Sequence, residues 1–237
     1  MVEMLVSIMI IALLAAMLFP SIQKVRNSGG QARCSANLRS LIQGWSLYCS
    51  DHDGGSVIYG INEDPSGKYG GWISQILSYL GSGNIDRLLL CPVAKTTTES
   101  GVRGTSKNAW KYSAMVGSYG LNARWYRYTD GSSAEYDSPT PNYYKKQLNG
   151  KTKEGPVISD AVWVDFDRGP GPPADFETAV GSGAYAIVRH GGKGVNMAFA
   201  DGSVRLVSMG EVFSSLKLRP IEVINPGWIH AVPEKYR

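Results

Sequence analysis

The residues able to do chemistry in this chain are few and widely spaced. His190, Asp201 and Gly202 fall within the run RHGGKGVNMAFADGSVRLV, residues 189–207. A histidine and a carboxylate invite an acid–base reading. Ten residues, Gly191 to Ala200, separate them, which in an extended strand is on the order of 30 Å. They do not form a dyad within one hairpin. Asp-Gly is a favoured turn pair, so Asp201 has a structural reason to be there. His190 with Arg189 is expected to satisfy backbone or carboxylate groups.

Asp160, Asp165 and Asp167 form the densest carboxylate set. Strand alternation puts Asp165 and Asp167 on one face, a pattern suited to a hard cation such as Ca²⁺. The alternative is a solvated strand face running into a Pro-Gly loop. Asp51-x-Asp53-Gly is too short for a calcium loop. Cys34, Cys49 and Cys91 match no zinc spacing. Cys34 and Cys49 fall on one predicted helix, roughly 20 Å apart, and cannot pair with each other. In an oxidising compartment Cys91 is free to pair with one of them, Cys34–Cys91 being the expected disulfide; three buried free thiols are the alternative. Neither GxSxG, a Walker loop, HExxH nor GxGxxG occurs. The chain therefore reads as non-enzymatic, with no cofactor expected beyond the Ca²⁺ candidate. A net charge of +4, with both signs interspersed, gives no footprint for nucleic acid.

Those residues are carried on two kinds of sequence. From Met4 to Phe19 nothing is charged and only Ser7 is polar. A run of about 19 apolar residues is close to the ~20 needed to span a bilayer core, and residues 1–23 are read as the membrane half of an N-terminal helix. A secretory signal would need a basic flank, where Glu3 stands instead. A core helix is seldom apolar all round. Residues 24–53 continue as an amphipathic half. Ala36, Leu38, Leu41, Ile42, Trp45 and Tyr48 form one stripe, and Lys24, Arg26, Arg33 and Arg39 point away from it. Pro20 is expected to kink this helix and Gly29-Gly30 to weaken it.

Residues 54–237 read as a head of short strands among glycine-rich turns. VNMAFADGSVRLV predicts a hairpin with Asp201-Gly202 as its two-residue turn. PVISDAVWVDFD (156–167) predicts a strand pair or one long strand. Helices are expected near 70–80 and 210–217. The fold class is α+β: a long N-terminal helix packed on an antiparallel sheet. Trp110, Tyr112, Tyr119, Trp125, Tyr126, Tyr128, Tyr143 and Tyr144 would serve either a sheet core or a surface for glycan or protein.

The stretch VEMLVSIMIIALLAAMLFPSIQ resembles the mature start of type IV pilins and type II secretion pseudopilins, with Glu3 in the place of the family glutamate and Pro20 in that of its proline. Cys34-Ser35-Ala36-Asn37-Leu38, Tyr48 with Asp51-His52-Asp53-Gly54, Cys91-Pro92, Ser118-Tyr119-Gly120-Leu121-Asn122 and the segment at 189–207 are similar to a bacterial prepilin-type subset with a C-terminal H-X9-DG segment. The spacing here is one residue longer than that name. The family's basic leader and Gly-Phe cleavage junction are absent from this sequence, and the expectation is a natural chain that starts further upstream. The resemblance implies a single-pass protein of the bacterial inner membrane with its head in the periplasm or exterior. The basic pair Lys24 and Arg26 alone would favour the opposite orientation. It further implies a structural subunit of a secretion or pilus-like assembly, whose partners are other pilin-like subunits packed through the N-terminal helix. Glu3 would face a neighbour's amino terminus. The alternative is a membrane-anchored surface protein that binds envelope glycan or protein and does not polymerise.

Overall fold

The structure, a computed structural model, describes residues 2–97, 99, 101–127, 155–166, 189–190 and 194–208. One helix, α1, occupies Val2–Asp51. Every residue from 3 to 19 is exposed, including Met4 at 77% and Phe19 at 66%. Among the described residues no helix is long and apolar enough to cross a membrane. The apolar stretch with described side chains, residues 3–19, measures about 25 Å at 1.5 Å per residue, against about 30 Å of hydrocarbon.

The second half of α1 behaves differently. Cys34, Leu38, Leu41, Ile42, Trp45, Tyr48 and Cys49 are buried, following the three-and-four spacing of one helix face. Each buried Leu or Ile contributes roughly 1.5–3 kcal/mol relative to exposure. Ala36, expected on this stripe, is exposed, because at 100° per residue it lies about 200° around from Cys34. Arg33 and Arg39 are exposed, as the pattern predicts.

The helix runs unbroken through Pro20 and through Gly29-Gly30, so the weak point expected at the glycines does not interrupt it. Gly30 has a packing reason for its place. A Cβ there would sit 3.1 Å from Val93 Cγ1 and 3.9 Å from His190 Nδ1, so the missing side chain lets the head approach the helix. The helix ends where Asp53 and Gly54 take positive φ (52° and 78°). The Gly54 N–H reaches back to the Cys49 carbonyl at 2.8 Å, a six-to-one closing bond.

The head adds a short helix α2, Gly71–Ile76, extended by a 3-10 turn Leu77–Tyr79, and a single-turn helix α3, Ile85–Leu88. Strands β1 (Trp110–Tyr112) and β2 (Met115–Gly117) form a small antiparallel pair. The main sheet holds β3 (Tyr119–Asn122), β4 (Pro156–Asp160), β5 (Asp165–Phe166), β6 (Val195–Phe199) and β7 (Val204–Val207) in the order β5-β3-β4-β6-β7. Its pairs are antiparallel except β3 with β5. The α+β expectation is met. The 156–167 segment is neither one strand nor a hairpin, because β3 lies between β4 and β5.

Strand β6 is buried along its whole length. Ala198 belongs to the core beneath α1. By alternation Asn196 shares its face, while Val195, Met197 and Phe199 occupy the other. The hairpin loop differs from the expected two-residue turn. Ala198 pairs with Val204, the Gly202 N–H bonds to the Phe199 carbonyl and Phe199 N–H to the Ser203 carbonyl. Three residues, Ala200 to Gly202, thus form the loop, with Gly202 at φ 84°. A turn followed by a left-handed glycine is the three-residue solution that keeps the strand twist.

Of the aromatics in question, Trp110, Tyr119, Trp125 and Tyr126 are core residues and Tyr112 is exposed; Tyr128, Tyr143 and Tyr144 lie outside the described residues, as does the 210–217 helix. Every described side chain before Gly30 is exposed. Deleting residues 1–23 should therefore leave a soluble, monomeric, folded head, checked by sedimentation and circular dichroism. An insoluble or unfolded product would make the apolar run part of a core.

Candidate functional site

Three neighbouring strands place one polar residue each on the face beneath α1. Tyr119 of β3 stands opposite Asp160 of β4 in the ladder. Asn196 of β6 reaches the same carboxylate through both its backbone N–H, at 3.2 Å, and its side-chain Nδ2, at 3.0 Å. All three are fully buried. Over this row sits Cys34 of α1. Its Sγ lies 3.5 Å from Asp160 Oδ1 and accepts from the Tyr119 hydroxyl at 3.3 Å and from Asn196 Nδ2 at 3.4 Å.

Two further segments complete the group. Cys91 opens a Cys-Pro-Val-Ala turn, closed by the Ala94 N–H on the Cys91 carbonyl at 2.9 Å. Pro92 supplies the fixed φ that the second position of such a turn favours. Asn37, one turn along α1 from Cys34, donates to the Leu90 carbonyl at 3.2 Å and so holds this loop against the helix. His190 sits at φ 55°, a left-handed conformation that costs a non-glycine residue on the order of 1 kcal/mol or more. That backbone brings its Nε2 to 3.4 Å from Cys91 Sγ. The adjoining Arg189 places Nε 3.7 Å from Asp160 Oδ1, with both side chains fully buried. Its Nη2 and Nη1 donate to the carbonyls of Ala161 and Asn108. One donor atom from each of Cys34, Cys91, Asp160 and His190 lies within 4.8 Å of all the others.

Protonation follows from this packing. Burial pushes the Cys34 thiol far above its ordinary range, and its hydrogen bond to Cys91 and the charge of Asp160 add to that. Cys91 moves the other way, held well below an ordinary thiol by the hydrogen bond from Cys34, then by His190 and Arg189, against the cost of burial. Burial and the Cys91 charge push Asp160 up to about 6, with Arg189, His190 and Asn196 opposing. For His190, burial disfavours the charged form, but the Cys91 hydrogen bond and the Asp160 charge outweigh it and raise its pKa. An acidic thiol beside an imidazole is the pattern of a cysteine nucleophile. Cys91 is 0% exposed and His190 7%, whereas reactive cysteines are partly open to substrate. The arrangement suits binding something small within the fold.

The residues singled out from the sequence are distributed as follows. Cys34 and Cys91, the expected disulfide pair, are brought together as free thiols, while Cys49 is free and buried elsewhere on the helix. The carboxylate set for Ca²⁺ is not assembled among the described residues. Asp160 faces two sulfurs, an imidazole and a guanidinium, where Ca²⁺ requires oxygens. Asp165 lies on β5, two strand spacings or about 10 Å away across β3; Asp167 is outside the described residues. His190 joins the buried cluster, whereas Asp201 is an exposed loop residue whose Oδ1 accepts from Ser203 N–H at 2.8 Å. Glu3 is exposed in the first turn of α1, and its carbonyl accepts from Ser7 Oγ at 2.9 Å. Tyr119 and Asn196 were not legible as site residues, since nothing in a strand pattern marks which face meets a cysteine. No family model, curated protein or solved structure matches the chain.

Three outcomes are expected. Arg189→Met leaves Asp160 buried without its cationic partner and should destabilise by about 3–5 kcal/mol in urea unfolding. Asp201→Asn should leave the melting temperature nearly unchanged, because Asn supports the same turn. Gly202→Val forces a Cβ into the left-handed region and should cost roughly 1 kcal/mol or more, a fall of about 2–4 °C for a chain of this size.

Proposed function

We propose that the chain is a pseudopilin-like structural subunit, without catalytic activity, held in a bacterial inner membrane by the first half of α1 and presenting its head to the periplasm or exterior. The observation that carries this reading is the division of one continuous helix into two environments. Its second half buries a stripe in the head, while residues 3–19 expose apolar side chains on all sides. Such a surface is far larger than soluble monomers leave uncovered. Lipid and the equivalent helices of neighbouring subunits are the cover it is suited to. Taken by sequence, residues 1–23 bring the apolar run near the ~20 residues of a span.

Glu3 supplies the assembly logic. A carboxylate entering lipid unpaired costs several kcal/mol, and a neighbour's amino terminus offsets that cost only when subunits pack side by side. The resemblance to pilins rests on this residue and on Pro20, both in the first half of α1. The glycan-binding alternative draws less support, because Trp110, Tyr119, Trp125 and Tyr126 are buried in the core.

Replacing the charge tests the proposal. Glu3→Ala should insert into membranes as well as the unaltered chain, while crosslinking between subunits through the helix falls to background. Crosslinking that persists unchanged would remove the filament reading.

A further inference from the structure

The Cys34–Cys91–Asp160–His190 cluster has more chemistry than a structural core requires. Four potential ligands, two soft sulfurs, one imidazole nitrogen and one carboxylate oxygen, arrive from α1, the turn after α3, β4 and the segment before β6. They are separated by up to 126 residues in the contacts they make, Cys34 with Asp160. We propose that this cluster is a structural zinc site, in which Cys34 Sγ, Cys91 Sγ, Asp160 Oδ1 and His190 Nε2 bind one Zn²⁺ and clamp α1 to the head.

The ligand number and type fit. Structural zinc is four-coordinate and tetrahedral, with Zn–S near 2.3 Å and Zn–N or Zn–O near 2.0–2.2 Å. Those bond lengths place neighbouring ligand atoms roughly 3.3–3.8 Å apart. The Cys34 Sγ to Asp160 Oδ1 and Cys91 Sγ to His190 Nε2 separations are 3.5 and 3.4 Å, and all four atoms fall within 4.8 Å of one another. Thiolate and imidazole ligands exclude Ca²⁺ and Mg²⁺, which take oxygen, and select zinc among abundant divalent ions.

The surrounding groups behave as a supporting shell. Asp160 uses Oδ2 for Asn196, which leaves Oδ1 turned toward Cys34. Cys34 Sγ receives two donors, from Tyr119 and Asn196, the arrangement that steadies a metal-bound thiolate. Charge closes as well. A dication, two thiolates, one carboxylate and the Arg189 guanidinium sum to zero, which a buried site needs. Binding needs both sulfurs as thiolates and the His190 imidazole neutral at Nε2, so whatever protons those three groups carry beforehand leave to solvent. The left-handed backbone at His190 then has a purpose, since it turns the imidazole into the cluster. Gly30 of α1 leaves room for that ring. The inference stands on these ligands alone and does not depend on whether the chain assembles into filaments.

The test uses the full chain, purified in detergent without chelators. Elemental mass spectrometry should find one zinc per chain. Chelation followed by Co²⁺ should give thiolate-to-cobalt charge transfer in the near ultraviolet and the visible bands of tetrahedral cobalt. Cys34→Ser and Cys91→Ser should each reduce bound zinc from one equivalent to none. Cys49→Ser, which removes the third buried thiol away from the cluster, should retain it. Asn196→Ala should weaken zinc binding by roughly 10–100-fold. If the serine variants fail to fold, the cobalt spectrum of the unaltered chain decides the matter. A chain lighter by two hydrogens, with a Cys34–Cys91 disulfide and no metal, would overturn the proposal. So would free thiols that give neither zinc nor a cobalt spectrum.

Discussion

Asp160 is a carboxylate with no exposure to water, and removing a charge from water costs several kcal/mol before any partner is counted. Much of the head is organised around meeting that cost. Arg189 brings the compensating charge, Asn196 brings two donors, and Cys34 and Tyr119 close the space from above and beside. Each comes from a different part of the chain, so the carboxylate can be satisfied only when β3, β4, β6 and α1 have reached their final places. A buried polar group of this kind adds less to net stability than apolar packing would. What it enforces is register, because a one-residue slip of β6 would turn Asn196 to the opposite face and leave Asp160 short of its donors.

The same constraint explains the two characters of α1. At Cys34 and beyond, the helix is fixed by the polar row on one turn and by Leu38, Leu41, Ile42 and Trp45 on the next ones. Every described side chain before Gly30 is exposed, and from Met4 to Phe19 the residues are apolar, save Ser7, without periodicity. An isolated helix draws little stability from propensity alone. A surface of this composition is therefore matched to surroundings that are themselves apolar. Buried cluster and exposed apolar half occupy one continuous helix, so whatever holds Cys34 to Cys91 also fixes how the head is carried on that half.

Several of the segments read from the sequence as similar to prepilin-type proteins meet in one place. Cys34 and Asn37, Cys91, Tyr119, Arg189 with His190, and Asn196 all take part in the cluster or hold its edges. Read along the sequence they looked like unrelated signals. Cys34 and Cys91 suggested a disulfide, Asp160 a calcium ligand beside Asp165, and His190 a partner for backbone or carboxylate groups rather than a dyad with Asp201. The structure regroups them, joining Cys34, Cys91, Asp160 and His190 and leaving Asp165 and Asp201 aside.

The sequence alone determined what depends on local period and turn chemistry. The apolar run of α1, its amphipathic continuation, the β6–β7 hairpin and the role of Gly202 follow from spacing and backbone preference, which act over a few residues. Errors at this level were small: Ala36 on the wrong face, and a loop of three residues where two were expected. The tertiary structure alone decided the composition of the site. Zinc spacings are recognisable when two ligands share one turn, and here four segments contribute one ligand each. Nor could a strand pattern reveal that β3 inserts between β4 and β5, which separates Asp160 from Asp165. Which side chains meet across long chain separations is set by sheet order and helix docking, and those are products of the whole packed core, with no local signature in the residues that end up in contact.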